Sequence, residues 1–317
     1  MDPHRQKTSV ALLSIFSNAC LVLLKVVVGF ATGSVSVISE AAHSAVDLLA
    51  AVIAFVAVRT SGRPADARHQ FGHGKVENIS AAVEALLIFL AAGWIIHEAV
   101  KKLLHPHPLE SPGWGAAVML FSVVVNIVVS HMLFRVGNRT HSVALQADAW
   151  HLRTDVYTSA GVMAGLGAIA LGRRYFSGTN IFWVDPLAAL VVATMILKAA
   201  YDLTVQSLRD LLDASLPAEE EQRIMRMVNE MRPAVCGAHK LRTRRSGPMR
   251  FIELHLLVHP DMSVKDSHSI ADDVVARIKS EFPESRVFMH VEPCDGSCGT
   301  IIGSAKPPNG KSASPAE

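Results

Sequence analysis

Residues 144–171, ALQADAWHLRTDVYTSAGVMAGLGAIAL, decide the fold. The second half is as apolar as the middle of a bilayer, while the first half carries Asp148, His151, Arg153 and Asp155. A second stretch, SVISEAAHSAVDLLAAVIAFVAV at 36–58, does the same with Glu40, His43 and Asp47. Ionisable groups at membrane depth are costly; they face the bundle interior and mark ion pathways. Side chains four apart share a helix face, so His43 can act with Asp47, and His151 with Asp155. Two imidazoles and two carboxylates converging from two helices make an N₂O₂ donor set. That set suits tetrahedral Zn²⁺ better than Ca²⁺ or Mg²⁺, which want six or more oxygens. The bland alternative is that each His and Asp bonds a neighbouring helix. It accounts for one pair far better than for two pairs at identical spacing.

Composition agrees with a membrane origin for these segments. Of 317 residues, half are apolar and only 18% are charged, against roughly 25% in a soluble protein. The shortfall is confined to residues 1 to about 205, and the remainder has ordinary soluble density. A span needs about 20 mostly apolar residues, and six candidates emerge, near 9–31, 35–59, 79–100, 113–135, 143–171 and 181–204. The first apolar run is too long for a signal-peptide core, and no small-residue cleavage site interrupts it. Lys and Arg in the loops favour both termini, and therefore the soluble domain, in the cytoplasm. A net charge of +2, with no dense basic cluster, argues against a nucleic-acid partner.

The soluble part reads as α-β-β-α-β. A helix over 215–232 starts with Ser215 as its N-cap and acids in its first turn. FIELHLLVH alternates, with Ile252, Leu254, Leu256 and Val258 on one face and His255 on the other. A helix follows around 267–282, then RVFMHVEP, which turns Val287, Met289 and Val291 inward and His290 and Glu292 outward. This order, with antiparallel strands, suits a small α+β sandwich. The four cysteines imply no disulfide framework, and Cys294 and Cys298 are spaced too widely for a strong zinc motif.

One further cluster lies between the second and third spans: RPADARHQFGHGKVE, 63–77, places Asp66, His69 and His73 in a glycine-punctuated loop. Such a loop can hold a metal or simply be solvated. Taken with SEAAHSAVD (39–47), SVALQADAWHLRTDVYTS (142–159), GAHKLRTRRSGPMRFIELHL (237–256) and VFMHVEP (287–293), it makes the chain resemble the cation diffusion facilitator family, within it the bacterial zinc and iron efflux branch. The resemblance covers nearly the whole chain.

The resemblance implies an α-helical membrane protein of six transmembrane helices over 1–207 and a C-terminal α+β ferredoxin-like (metallochaperone-like) domain over 208–293. That domain would lie in the cytoplasm, bind metal and form a homodimer; by its composition, 294–317 is expected to be a disordered tail. The implied transport site is His43, Asp47, His151 and Asp155. The implied loop site is Asp66, His69 and His73. Metal positions in the soluble domain fall on His239, His255, His268, His290 and Glu292. Lys75 with Asp210 or Asp213 is the implied salt bridge between the layers. The branch commonly has Asp at the positions of His43 and Glu292. The implied activity is export of Zn²⁺ across the cell (inner) membrane in exchange for protons, with a structural or regulatory Zn²⁺ in the soluble domain. The partners are then divalent metal ions, protons, membrane lipid and a second copy of the chain. Fe²⁺, Cd²⁺, Co²⁺, Ni²⁺ and Mn²⁺ remain open as substrates, and a membrane-embedded sensor or zinc enzyme remains the competing class. An enzyme reading is disfavoured because no His-Glu-x-x-His occurs and four ligands would close the site.

Overall fold

The structure is a computed structural model that describes residues 3–33, 35–104, 114–175 and 183–294. The tail expected over 294–317 lies, beyond Cys294, outside the described residues. Two compact units form: Met1–Leu212 with Ser246–Pro248, and Asp213–Arg245 with Met249–Glu317.

The first unit contains six long helices: α1 (Pro3–Thr32), α2 (Val35–Ser61), α3 (Lys75–Leu104), α4 (Trp114–Arg139), α5 (Val143–Tyr175) and α6 (Val184–Leu211). Among the described residues, α1, α2, α3, α4 and α6 contain stretches long and apolar enough to cross a membrane. The remaining helix, α5, has 33 residues and carries the charges quoted above. At about 1.5 Å per residue it also exceeds a bilayer core of roughly 30 Å.

Small residues let these helices approach closely. One cluster joins Ala11 of α1, Ala57 and Val58 of α2 and Leu133 of α4 to Ala144, Leu145, Ala149 and Leu152 of α5. Another joins Ala81, Ala85 and Ile88 of α3 and Ile196 and Ala200 of α6 to Val143 and Ala147 of α5. Helix α5 therefore buries two faces, which leaves it the central element and turns its polar residues inward. The opposite faces carry Phe16, Leu23, Phe30, Leu90 and Trp94 outward, as lipid-facing positions require. A Cβ on Gly29 would come within 2.8 Å of Ile38, and one on Gly161 within 2.8 Å of Val192, so both glycines serve helix packing.

One end of the bundle is tied by a fully buried carboxylate. Glu77, in the first turn of α3, accepts from Lys7 Nζ at 2.8 Å, from Ser61 Oγ at 2.6 Å and from Ser142 Oγ. These residues belong to α1, the end of α2 and the approach to α5, so one carboxylate joins four segments.

The second unit contains α7 (Ala218–Asn229), β1 (Gly237–Ser246), β2 (Met249–Val258), α8 (Val264–Glu281) and β3 (Ser285–Pro293). The α-β-β-α-β order is as expected, but the strand directions are not all antiparallel. In the sheet, ordered β1-β2-β3, β3 runs parallel to β2. The reason is that α8 lies between them and carries the chain back to the end where β2 began, so β3 must repeat its direction. The first helix also starts later than expected. Pro217, not Ser215, occupies the N-cap, and no side chain caps it. A proline disfavours helical geometry in the residue before it, so Leu216 cannot belong to the first turn. In α8, Ser263 is a genuine N-cap, its hydroxyl accepting from the Asp266 N–H. Ile252, Leu254, Leu256 and Val258 of β2 pack with Ile224, Val228, Val274 and Ile278 of the helices to form the core. Cys20 and Cys236 are free, in keeping with the expectation of no disulfide framework, but Cys294, just beyond β3, is disulfide-bonded; Cys298 lies outside the described residues.

Candidate metal sites

The two His-x-x-x-Asp pairs meet, and they meet crosswise. His43 Nε2 of α2 lies 3.6 Å from Asp155 Oδ1 of α5, and His151 Nε2 of α5 lies 3.1 Å from Asp47 Oδ1 of α2. Residue numbers rise on α2 as their partners fall on α5, so the two helices run antiparallel at the crossing. That direction explains why each histidine finds the other helix's aspartate rather than its histidine. Ligand atoms of His43, Asp47 and Asp155 all lie within 4.8 Å of one another. His151 stands outside that three-way group but touches it through Asp47.

His43, Asp47 and Asp155 line a cavity of about 200 Å³ that also takes in Asn18, Lys25, Glu40, Ser44, Ser122, Asn126, Thr158 and Ser159, and His151 lies behind it on Asp47. His43 is half exposed and Asp155 partly so, whereas His151 and Asp47 are buried. The site thus has an open side and a closed side. Lys25 Nζ donates to Ser44 Oγ at 2.7 Å and lies 3.3 Å from Glu40 Oε2, which joins α1 to α2 along the cavity wall. Which residues Lys25 bonds depends on how α1 packs against α2, and that is not written in either helix alone.

The loop cluster forms as well. Asp66 Oδ1 accepts the backbone N–H groups of Arg68 at 2.8 Å and His69 at 2.7 Å. These bonds, chiefly that of His69, hold its carboxyl below the usual carboxylate range. His69 Nδ1 lies 3.3 Å from Oδ1, and His73 Nε2 3.3 Å from Oδ2. Gly72 sits between the two histidines at φ +87°, a conformation that glycine adopts without strain. The turn it makes brings the two rings to 4.4 Å.

In the second unit, Glu292 is the centre. His255 Nδ1 lies 2.7 Å from its Oε1, and His239 Nε2 comes within 2.9 Å of its Oε2, off the hydrogen-bond line. The His255 bond is the main reason that the Glu292 carboxyl titrates below the usual range. His290 is paired in register with His255, its ring 4.9 Å away and its Nε2 3.8 Å from Glu292. His239, His255 and Glu292 form a compact N₂O group. His268 sits on α8 beside Asp272, at 3.6 Å, and is well exposed. Lys75 Nζ donates to the Leu211 carbonyl at 3.1 Å, Asp210 accepts from Asn78, and Asp213 pairs with Arg244 at 3.2 Å. His259 stands near Asp261 alone among the described acids.

Known proteins match both units of the chain. The description "Cation efflux transmembrane domain" matches residues 11–212, and "Cation efflux protein, cytoplasmic domain" matches 216–294. The uncharacterized transporter sll1263 of Synechocystis is 35% identical over 285 residues, 90% of each chain. The cation-efflux pump FieF of Escherichia coli is 35% identical over 274 residues, 86% of this chain and 88% of its own. A solved chain of CzrB is 38% identical, covering 25% of this chain and 96% of that one, at a TM-score of 0.24. Two matched domains that together span nearly all of the described residues, and relatives of equal length, carry the conclusion: this chain is a multi-pass membrane protein of the cation efflux (cation diffusion facilitator) family of divalent metal transporters.

Proposed function

We propose that the protein exports Zn²⁺ from the cytoplasm in exchange for protons, through the site formed by His43, Asp47, His151 and Asp155. The observation that carries this reading is the crosswise pairing from opposing helices, which sets His43, Asp47 and Asp155 in the wall of one cavity with His151 bonded to Asp47 behind them. The donor set is the one zinc prefers. Ligands must be deprotonated to bind metal, so protons and Zn²⁺ compete for the same four side chains. Loading from the cytoplasm displaces protons, and protons arriving from the other side displace the metal. Rocking of the helices about the crossing of α2 and α5 would supply alternating access.

In the same reading both termini and the second unit are cytoplasmic, the second unit dimerises, and Zn²⁺ bound by His239, His255 and Glu292 stabilises or regulates it. His290 stands at its margin, and His268, set on α8 beside Asp272, is the remaining metal position of this reading. Asp66, His69 and His73 form an additional metal site in the loop between α2 and α3. The test is Zn²⁺ uptake into proteoliposomes under an imposed pH gradient, comparing wild type with Asp155→Ala. Gradient-driven uptake that vanishes in the variant is expected. Zinc binding without flux under any gradient would make the protein a sensor.

A further inference from the structure

Two carboxyl groups inside the membrane unit belong to none of the three ligand clusters. Glu84 of α3 and Asp148 of α5 have no solvent exposure. Glu84 Oε1 accepts from Ser80 Oγ at 3.3 Å, while Oε2 has no partner. Neither oxygen of Asp148 has one either. Asp148 acts on Glu84 across the packing of α3 on α5, where Ala81 and Ala85 meet Ala147. Asp148 also faces Ser14 of α1, senses Asp47, and lies three residues before His151 on α5. Among the described residues, no lysine or arginine pairs with Glu84 or Asp148. Ser14 and Asn18, four apart on α1, are themselves buried with unpartnered Oγ and Nδ2 atoms, and Asn18 reaches the metal-lined cavity. Polar atoms on one face of α1 thus lie between the cavity and Asp148, and Glu84 stands on the helix packed beyond it.

Two adjacent unpaired carboxylates in an apolar interior are not a stable arrangement. An isolated buried carboxylate is neutralised rather than carried as a charge, and two that share a site cannot both be ionised without a cation. We propose that Glu84 and Asp148 form a separate cation-holding site whose occupant is a proton carried on Glu84, released when Zn²⁺ loads the neighbouring His151 site. The inference rests on the antiport reading above. A divalent ion arriving at His151 and Asp47 favours the ionised form of the nearby carboxyls. The Glu84 O–H bond then breaks, and the proton passes by way of Asp148 to water in the cavity. The protein would carry one exchangeable proton beyond those on its metal ligands.

The test uses the full chain purified in detergent and loaded with Zn²⁺ in weak buffer. Bound zinc, released protons and the infrared difference spectrum are read together. Glu84→Gln, which keeps the size of the side chain, is expected to bind as much zinc as wild type and release fewer protons, by about one per protomer. It should also lack the carboxylic-acid C=O signal that wild type loses on loading. Asp148→Asn guards against misfolding of the first variant and should shift that same signal. An unchanged proton count and an unchanged signal in both variants would overturn the proposal. So would the loss of a bound zinc in Glu84→Gln, because the pair would then hold metal. A wild type that binds zinc and releases no proton sinks the antiport reading, and the infrared signal of Glu84 then decides the buried pair by itself.

Discussion

If His43 and Asp155 share one ion across α2 and α5, exchanging them should matter less than changing either alone. Asp155→His leaves two imidazoles facing each other where the structure has an imidazole and a carboxylate 3.6 Å apart, and it removes one negative charge from the site. A unit charge at that distance, with an effective dielectric constant near 20, is worth about 5 kcal/mol. Relaxation and water in the cavity reduce this, so the single variant is expected to lose roughly 10²–10³-fold in zinc affinity, about 3–4 kcal/mol. His43→Asp alone places two carboxylates at the same spacing, which repel until a metal arrives. That variant should hold zinc more tightly and release it more slowly. The double variant His43→Asp/Asp155→His restores both the charge and the donor set, and it should recover to within about tenfold of wild type. Zinc titration of the purified protein, followed by transport in proteoliposomes, measures all four corners of the cycle. A double variant no better than Asp155→His would refute the crosswise site, since positions 43 and 155 would then act on different ions.

Two other perturbations test parts of the fold that support the sites. Lys7→Met leaves Glu77 buried at the junction of four segments without its cation, and breaking a buried pair in this way costs about 3–5 kcal/mol. A clear fall in the thermal midpoint of the detergent-solubilised protein is expected, and Lys7→Met/Glu77→Gln should recover part of it. At Glu292 the folded carboxyl titrates below its unfolded value, chiefly through His255. Its contribution to stability is therefore present above the ordinary glutamate range, near pH 4.3, and is lost as pH falls through the depressed folded value. Metal-free unfolding of wild type and Glu292→Gln should differ at neutral pH and converge in acid. Curves that stay parallel across that range would remove Glu292 from the centre of the cluster.

Much of the architecture was legible one segment at a time. Helix length and the four-residue spacing of His43 with Asp47 and His151 with Asp155 are properties of single helices, so local sequence sets them. The alternation in β2 is local in the same way, and it placed Ile252, Leu254, Leu256 and Val258 in the core correctly. The loop cluster was readable because Asp66, His69 and His73 lie close in the chain and Gly72 supplies the turn between the histidines. Local signals failed where direction depends on a distant partner. β3 was expected to run antiparallel to β2, yet the return path through α8 makes it parallel. Ser215 looked like a cap until Pro217 set the start of α7.

The sequence by itself determined that the chain is a bundle of membrane helices with ionisable residues paired on two of them, followed by a small α+β unit. Tertiary structure decided which histidine meets which aspartate, that Lys25 bonds Ser44 beside the cavity, and that Glu77 joins four segments. It also decided that Glu292, rather than any histidine, lies at the centre of the soluble cluster, and that Glu84 and Asp148 are buried on packed helices with Glu84 Oε2 and both Asp148 oxygens unpartnered. The physical reason is range. Periodicity and turn chemistry act over a few residues, whereas the pairing of charges across helices depends on which faces the apolar contacts of α5 bring together.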